Sequence, residues 1–205
     1  MRNLFSELLL AQIKKVKSEC FATLNANVTE GKRACPLITC EGNMNNIEFY
    51  QVNNDYIDYL LPYAPHLFHN KKYGQKNERK YIGIVLHINN VSYFAPLSSY
   101  KEKHNSMKEM LDFIKVKNYA VINLNNMFPV PESEYKYVKI SDEPDDKYRS
   151  LLQAEYRYIK SIQEKIRKNA AVIYKHKLAN GNSTGLSRRC NDFLTLEKLC
   201  KEYNK

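Results

Sequence analysis

The chain contains no tryptophan, little glycine and no regular cysteine spacing. Its 205 residues include six glycines, and neither G-x-x-x-x-G-K-[ST] nor G-x-G-x-x-G occurs. This absence argues against the common nucleotide-binding loops. The five cysteines are odd in number and scattered, without a C-x-x-C pair. We therefore expect free thiols in a reducing cytoplasm, not a zinc ribbon or a disulfide framework.

Long apolar runs are also missing. No stretch approaches the ~20 apolar residues that a membrane span requires. The short apolar patch at residues 8–11 follows a glutamate and precedes three lysines, which is the wrong charge order for a signal peptide. We expect a cytoplasmic protein without membrane contact.

The hydrophobic pattern differs between the two parts of the chain. Residues 44–205 alternate clearly between apolar segments and polar connections, whereas residues 1–43 hold one short amphipathic segment and then no period. We expect a single domain at residues 44–205. Residues 1–43 are expected to be an N-terminal extension that is either not native or poorly ordered.

The charge is strongly positive, with 32 lysine and arginine residues against 22 acidic ones and a formal net charge of +10. Such a surplus favours a polyanionic partner, although some basic proteins bind no polyanion. The chain also has 16 tyrosines. Tyrosine rings stack on nucleic-acid bases, but they equally suit half-buried strands.

Strands come first along the patterned domain, and helices follow. Strands are predicted at residues 47–52, 81–88, 91–97, 113–116, 119–124 and 137–140. Short helices are predicted at residues 56–61 and 106–109, a long helix from residue 145 or 146 to beyond 173, and a last helix at 192–203. This order predicts an α+β fold with a small antiparallel barrel or half-barrel and packed helices.

A hairpin at residues 79–104 collects most of the candidate chemistry. Asn89 and Asn90 are suited to its tight turn, and this spacing places residue 80 near residue 99. Hydroxyl groups, cations and an imidazole then meet at the open end of the hairpin, from Arg79, Lys80, Ser98, Ser99, Lys101, Lys103 and His104. Metal-independent RNA cleavage needs a base, an acid and groups that stabilise a charged phosphorane, and these side chains can supply them.

Simpler readings of the same residues remain open. Ser98 and Ser99 follow a proline and suit an ordinary turn, the lysines suit a solvated surface, and a lone histidine is usually not catalytic. The hairpin region offers only Glu78 and Glu102 as carboxylates, fewer than a metal-dependent nuclease would need. We expect no cofactor and no metal. The alternatives to an endoribonuclease are a non-catalytic RNA-binding module and a structural domain with incidental charge.

Several motifs in this order resemble a known family. They are IEFYQV and DYIDYL, then KYIGIVLHI, then YFAPLSS with Lys101 and His104, then INLNNMFPV and finally CNDFLTLEKL. In this order the chain from residue 44 to 203 resembles the ToxN/AbiQ family of type III toxin–antitoxin and phage-abortive systems.

The resemblance implies a metal-independent, sequence-selective endoribonuclease on an extended SH3-like barrel, similar to the MazF and Kid toxins. It implies cleavage by the ribose 2′-hydroxyl that leaves a 2′,3′-cyclic phosphate and a 5′-hydroxyl. It also implies a repeated, pseudoknotted RNA antitoxin held in a closed toxin–RNA assembly, and cellular and phage RNAs as substrates. Growth arrest during phage infection would follow from activation of the toxin.

Carried over by position, the resemblance implies roles for individual residues. Ser98 and Ser99 would bind or polarise the scissile phosphate, Lys101 would stabilise charge, and His104 would transfer protons or bind RNA. The basic residue before YIGIVL matches Arg79 in register, whereas Lys80 is the better chemical match. We expect further RNA contacts at Tyr56, Tyr73, Tyr100, Lys103 and Asn125. The family often has proline where this chain has Tyr100, which leaves the direction of Lys101 open.

Overall fold

In a computed structural model, the described residues are 46–67, 69–70, 79–88 and 90–203. Within these ranges the predicted α+β class is confirmed, because antiparallel strands and helices segregate along the chain. The expected N-terminal extension at residues 1–43 lies outside the described residues. The domain boundary at residue 44 therefore stays a prediction.

Among the described residues, one antiparallel sheet contains seven strands. They are β1 (Glu48–Val52), β2 (Tyr81–Ile88), β3 (Val91–Ser99), β4 (Phe113–Val116), β5 (Ala120–Asn123), β6 (Phe128–Val130) and β7 (Tyr135–Tyr137). The hydrogen-bonded order is β4-β5-β3-β2-β1-β7, and β6 also pairs with β3. Within the described ranges no ladder joins β4 to β7, so the sheet is not closed there. The central strand is β3, because it pairs with β2, β5 and β6.

The strands differ from the sequence-based prediction at two places. The strand predicted at 137–140 lies at Tyr135–Tyr137, and Ile140–Asp142 forms a 3₁₀ turn instead. Strand β6 was not predicted. Its three residues include Pro129, and a proline lowers the strand signal because it cannot donate to a ladder.

Five α-helices accompany the sheet in the part of the chain that the structure describes. They are α1 (Asn54–Leu60), α2 (Asp146–Ser161), α3 (Gln163–Asn180), α4 (Gly185–Arg189) and α5 (Phe193–Glu202). The helix predicted at 106–109 is wrong. The Ser106 hydroxyl donates backwards to the Lys103 carbonyl at 3.1 Å, next to a 3₁₀ turn at Glu102–His104.

The long C-terminal helix is also divided, contrary to the prediction of one continuous helix. Ile162 leaves helical geometry with φ −115° and ψ 12° between α2 and α3. The predicted apolar stripe is buried on both sides of this break, at Leu152, Ile159, Ile166 and Ile173. A seven-residue spacing drifts around a straight helix by about 20° per heptad. The break therefore lets both halves keep the stripe in the core.

The sheet has a buried cluster on each face. On β3, Tyr93 and Ala95 belong to one cluster with residues of α2 and α3, whereas Phe94 belongs to another with residues of α1 and with Leu196 of α5. Neighbouring residues of a strand project to opposite faces, so the two clusters lie on opposite sides of the sheet. We call these the α2–α3 face and the α1 face.

The β2–β3 hairpin contains a register shift that the sequence did not reveal. Asn90 has φ 63°, as a tight turn at this point predicts. Leu86 pairs with Tyr93, but Ile82 pairs with Ala95. Three residues of β2, 83–85, therefore lie opposite a single residue of β3, Phe94. A Cβ at Gly83 would lie 2.4 Å from the Phe94 ring, which explains the glycine. The pairing of residue 80 with residue 99 is therefore wrong, because the shift brings Arg79 opposite Ser98.

Glu155 on α2 is a buried carboxyl group that makes stability depend on pH. It is 4% exposed, and burial raises its pKa from 4.5 to about 7. The protonated Glu155 contributes to the free energy of unfolding. This contribution is complete below pH 4.5 and is lost as the pH rises through about 7, where the buried group ionises. Because one pH unit corresponds to about 1.4 kcal/mol, Glu155→Gln is expected to stabilise the fold by up to about 3 kcal/mol at pH 8.

Urea unfolding at pH 5 and pH 8 checks this expectation. The gain should be largest at pH 8 and below about 1 kcal/mol at pH 5. The exposed Glu132 offers the matched variant Glu132→Gln, which should show no such pH dependence. An equal effect of Glu155→Gln at both pH values would contradict the argument.

Candidate active site

An arginine and a serine make direct contact at the open end of the β2–β3 hairpin. Nη1 of Arg79 donates to Oγ of Ser98 at 3.0 Å. The ladder extends beyond β2, because the Leu97 N–H donates to the Lys80 carbonyl at 3.1 Å. The guanidinium of Arg79 is thereby fixed beside a hydroxyl group whose proton can still be donated to a ligand.

Asn70, which no sequence motif marks, holds this end of the hairpin. Its side chain donates to the Val52 carbonyl and to Oδ1 of Asn54, both at 2.7 Å, and accepts from the Tyr81 hydroxyl at 2.6 Å. Its own carbonyl accepts from the Arg79 N–H at 2.9 Å. Asn70 is only 5% exposed. This network therefore fixes the backbone from which the Arg79 side chain extends.

The two adjacent serines face opposite sides of β3. Ser98 pairs with Val121 and Ser99 with Ala120 on β5. Because side chains alternate along a strand, Ser98 lies on the α1 face with Arg79, and Ser99 lies on the opposite face with Lys80. Ser99 is exposed and Ser98 is half-buried. The two serine hydroxyls thus lie on opposite sides of the strand end and do not share one face of the sheet.

The turn after β3 positions His104. Its Nδ1 accepts a hydrogen bond from the Lys101 N–H at 3.0 Å, and its ring centroid lies 5.3 Å from that of Tyr100 and 5.8 Å from that of Phe113. Because a backbone N–H donates to Nδ1, the neutral ring carries its proton on Nε2. In this arrangement His104 offers a hydrogen-bond donor and not a free base.

The electrostatic surroundings keep this histidine neutral. Burial lowers the pKa of His104, and the positive charges of Lys103, Lys101 and Lys115 lower it further. Three cations therefore act on one imidazole at the end of β3. Such a local concentration of positive charge suits a phosphate ligand.

The other predicted RNA-binding residues lie in different environments. Tyr56 is fully buried, and its hydroxyl donates to the Pro129 carbonyl at 2.7 Å, so it offers no exposed ring face. The amide of Asn125 donates to the Arg189 carbonyl at 3.0 Å and holds the segment before α5. Tyr100 is half-buried against His104 and donates to Oδ1 of Asn105 at 3.1 Å, whereas Lys103 is exposed. Tyr73 lies outside the described residues.

Two kinds of feature are absent from the part of the chain that the structure describes. There, no group of three or more histidine, cysteine or acidic side chains is arranged to hold a metal ion. In the same residues, none of the helices combines the length and apolarity of a membrane span.

The fold and the site together define a class of protein. It is an α+β protein in which the end of an antiparallel hairpin presents a paired arginine and serine, followed by several lysines. Residues 48–201 match the family described as toxin ToxN of type III toxin–antitoxin systems. The chain belongs to this family.

Individual relatives agree with the family assignment. The endoribonuclease ToxN of Bacillus thuringiensis subsp. kurstaki is 31% identical, over 80% of this chain and 87% of the relative. The endoribonuclease AbiQ of Lactococcus lactis subsp. lactis is also 31% identical, over 78% of this chain and 90% of the relative. The endoribonuclease ToxN of Pectobacterium atrosepticum is 28% identical, over 78% and 95%.

Solved structures show the same fold. One, described as a type III toxin selectively inhibited by a non-coding RNA pseudoknot, superposes with a TM-score of 0.68 at 28% identity. It covers 78% of this chain and 98% of its own. AbiQ, described as a lactococcal anti-phage endoribonuclease, gives the same TM-score, identity and coverage.

Proposed function

We propose that this chain is a sequence-selective endoribonuclease toxin that cleaves RNA without a metal ion. The contact between Arg79 and Ser98 is the observation that carries the proposal. Three lysines act on His104, which lies in the turn after β3. Family membership supports it, since the relatives are named endoribonucleases. The reaction is an attack of a ribose 2′-oxygen on the neighbouring phosphorus. The bond from phosphorus to the 5′-oxygen breaks, and the products carry a 2′,3′-cyclic phosphate and a 5′-hydroxyl.

The proposed site groups serve the charged phosphorane. Arg79 and Lys101 supply positive charge, and Ser98 and Ser99 donate hydrogen bonds to non-bridging oxygens from the two sides of the strand end. The neutral His104 adds its Nε2–H as a further donor. Lys80, on the same side as Ser99, and Lys103 hold the RNA backbone. The candidates for the proton-transfer groups are Lys80, Lys101 and the tyrosines.

The biological setting follows from the same assignment. An RNA antitoxin of pseudoknot repeats holds the toxin in a closed toxin–RNA assembly, and released toxin cuts cellular and phage RNAs in the cytoplasm. Growth arrest then limits phage propagation. We also propose that residues 44–205 form the toxin domain and that its antiparallel sheet corresponds to an SH3-like barrel. The support is the family match and the central position of β3.

A non-catalytic RNA-binding module is the rival function. It would use the same basic surface, but it would not need hydroxyl groups beside the arginine. Incubation of purified protein with an unrelated transcript in EDTA separates the two. We expect new 3′ ends with a cyclic phosphate and new 5′-hydroxyl ends. Binding without new ends would favour the rival, and cleavage that EDTA abolishes would contradict the metal-independent reaction.

A further inference from the structure

Strand pairing places an additional lysine on the face that carries Arg79 and Ser98. Lys115 on β4 pairs directly with Val121 on β5, and Val121 pairs directly with Ser98 on β3. Directly paired residues of antiparallel strands project to the same face. Lys115, Val121, Ser98 and Arg79 therefore form one row that crosses the sheet from β4 to the end of β2.

The spacing of this row suits a chain of phosphates. Neighbouring strands lie about 4.8 Å apart. The backbone of Lys115 is therefore about 10 Å from that of Ser98, and Arg79 is one strand spacing away on the other side. Val121, which lies between Lys115 and Ser98 in this row, is only 1% exposed. An RNA strand that crosses the β-strands would therefore pass above it and contact Lys115, then Ser98, then Arg79.

The surroundings of Lys115 are those of the proposed site. Phe113, two residues earlier on β4, lies on the same face, and its ring centroid is 5.8 Å from that of His104. The positive charge of Lys115 also acts on His104. Its ammonium group lies 3.5 Å from the Asn105 carbonyl, a long contact that a phosphate can replace.

The carboxylate of Glu109 lies close to Lys115 and could neutralise its charge. Oε1 of Glu109 accepts from the Lys115 backbone N–H at 2.9 Å, and Oε2 lies 3.2 Å from Nζ of Lys165. Both oxygens of this carboxylate therefore have donors other than the Lys115 ammonium group.

We propose that Lys115 is a further RNA-binding residue, which holds the phosphate next to the one bound at Ser98 and Arg79. This inference rests on the proposed function, because it assumes an RNA ligand at the end of β3. It also assigns a direction to the bound strand, across the sheet from β4 towards β2.

Salt-dependent binding tests the inference. The probe is a short single-stranded 2′-O-methyl RNA, which lacks the attacking hydroxyl, titrated at several salt concentrations. Lys115→Ala is expected to weaken binding about tenfold at moderate salt and to lower the slope of log Kd against log salt by about 1. Lys115→Arg should retain the slope. Lys198→Ala on α5 removes one exposed charge and is the matched control, because Lys198 is 75% exposed beside Glu202.

A second measurement examines the geometry without RNA. Because Lys115 lowers the pKa of His104, Lys115→Ala should raise it in an NMR titration of the free protein. If wild-type protein cleaves RNA but Lys115→Ala keeps the wild-type slope, the inference is overturned and the proposed function stands. An equal loss in Lys198→Ala would also overturn it. If wild-type protein neither binds nor cleaves RNA, the proposed function itself fails.

Discussion

Replacing Ser98 and Ser99 together with alanine is expected to abolish RNA cleavage and leave RNA affinity within a few-fold of wild type. Loss of one donor to a charged intermediate lowers kcat by about 10²–10³-fold, and this variant removes two. The lysines and Arg79 remain, so the electrostatic attraction for RNA is retained. Cleavage is measured on a transcript in EDTA, and affinity on a 2′-O-methyl RNA.

The single variants separate the two sides of the strand end. Ser98→Ala removes the hydroxyl that Arg79 contacts, and Ser99→Ala removes the exposed one. We expect each to lower kcat by about 10²-fold or more. Ser106→Ala removes an exposed hydroxyl of the following loop and is the control, with wild-type cleavage expected. Full activity of the double variant would rule out the serines as part of the reaction.

Arg79→Ala is expected to lower kcat/KM by about 10²–10³-fold, because Arg79 supplies the guanidinium beside Ser98. Arg79→Lys should recover only part of this loss. Lysine keeps the charge but not the planar array of donors, so a phosphate oxygen and the Ser98 hydroxyl cannot be bound in the same geometry. Single-turnover cleavage at saturating protein separates the chemical step from binding.

The exposed Arg188 on α4 provides the matched control. Arg188→Ala removes the same group from the surface and should cleave RNA at the wild-type rate. Thermal unfolding of each variant excludes a loss of fold as the cause. If Arg79→Lys were as active as wild type, the charge alone would suffice and the paired geometry would not matter.

Much of the fold could be predicted because most elements carry strong local signals. Strand β2 was predicted at the residues where it occurs, since Ile, Val and Tyr are concentrated there. The Asn90 turn and the apolar stripe through Leu152 and Ile159 could be predicted from the sequence in the same way. The break at Ile162 was not, because no glycine or proline marks it and the stripe continues across it.

The candidate site was predicted as a set of residues but not as a geometry. The two-residue shift around Gly83, where the Phe94 ring packs, is a tertiary effect. It places Arg79 opposite Ser98, whereas the unshifted register would place Lys80 opposite Ser99. Asn70 and Lys115 were missed for a related reason. Their importance depends on partners that are distant in the sequence, and a single chain without pairing information does not identify such partners.

The alternation along β3 has a consequence for laboratory evolution of this protein. Leu97 contributes to the core on the α2–α3 face, and Ser98, its immediate neighbour, contributes to the site on the other face. A substitution that repacks the interior at this strand would also displace the groups proposed to act on RNA, so we expect stability and turnover to change together there. Selection for a new cut-site preference should instead accumulate changes in the turn at residues 100–105 and in the β4–β5 hairpin.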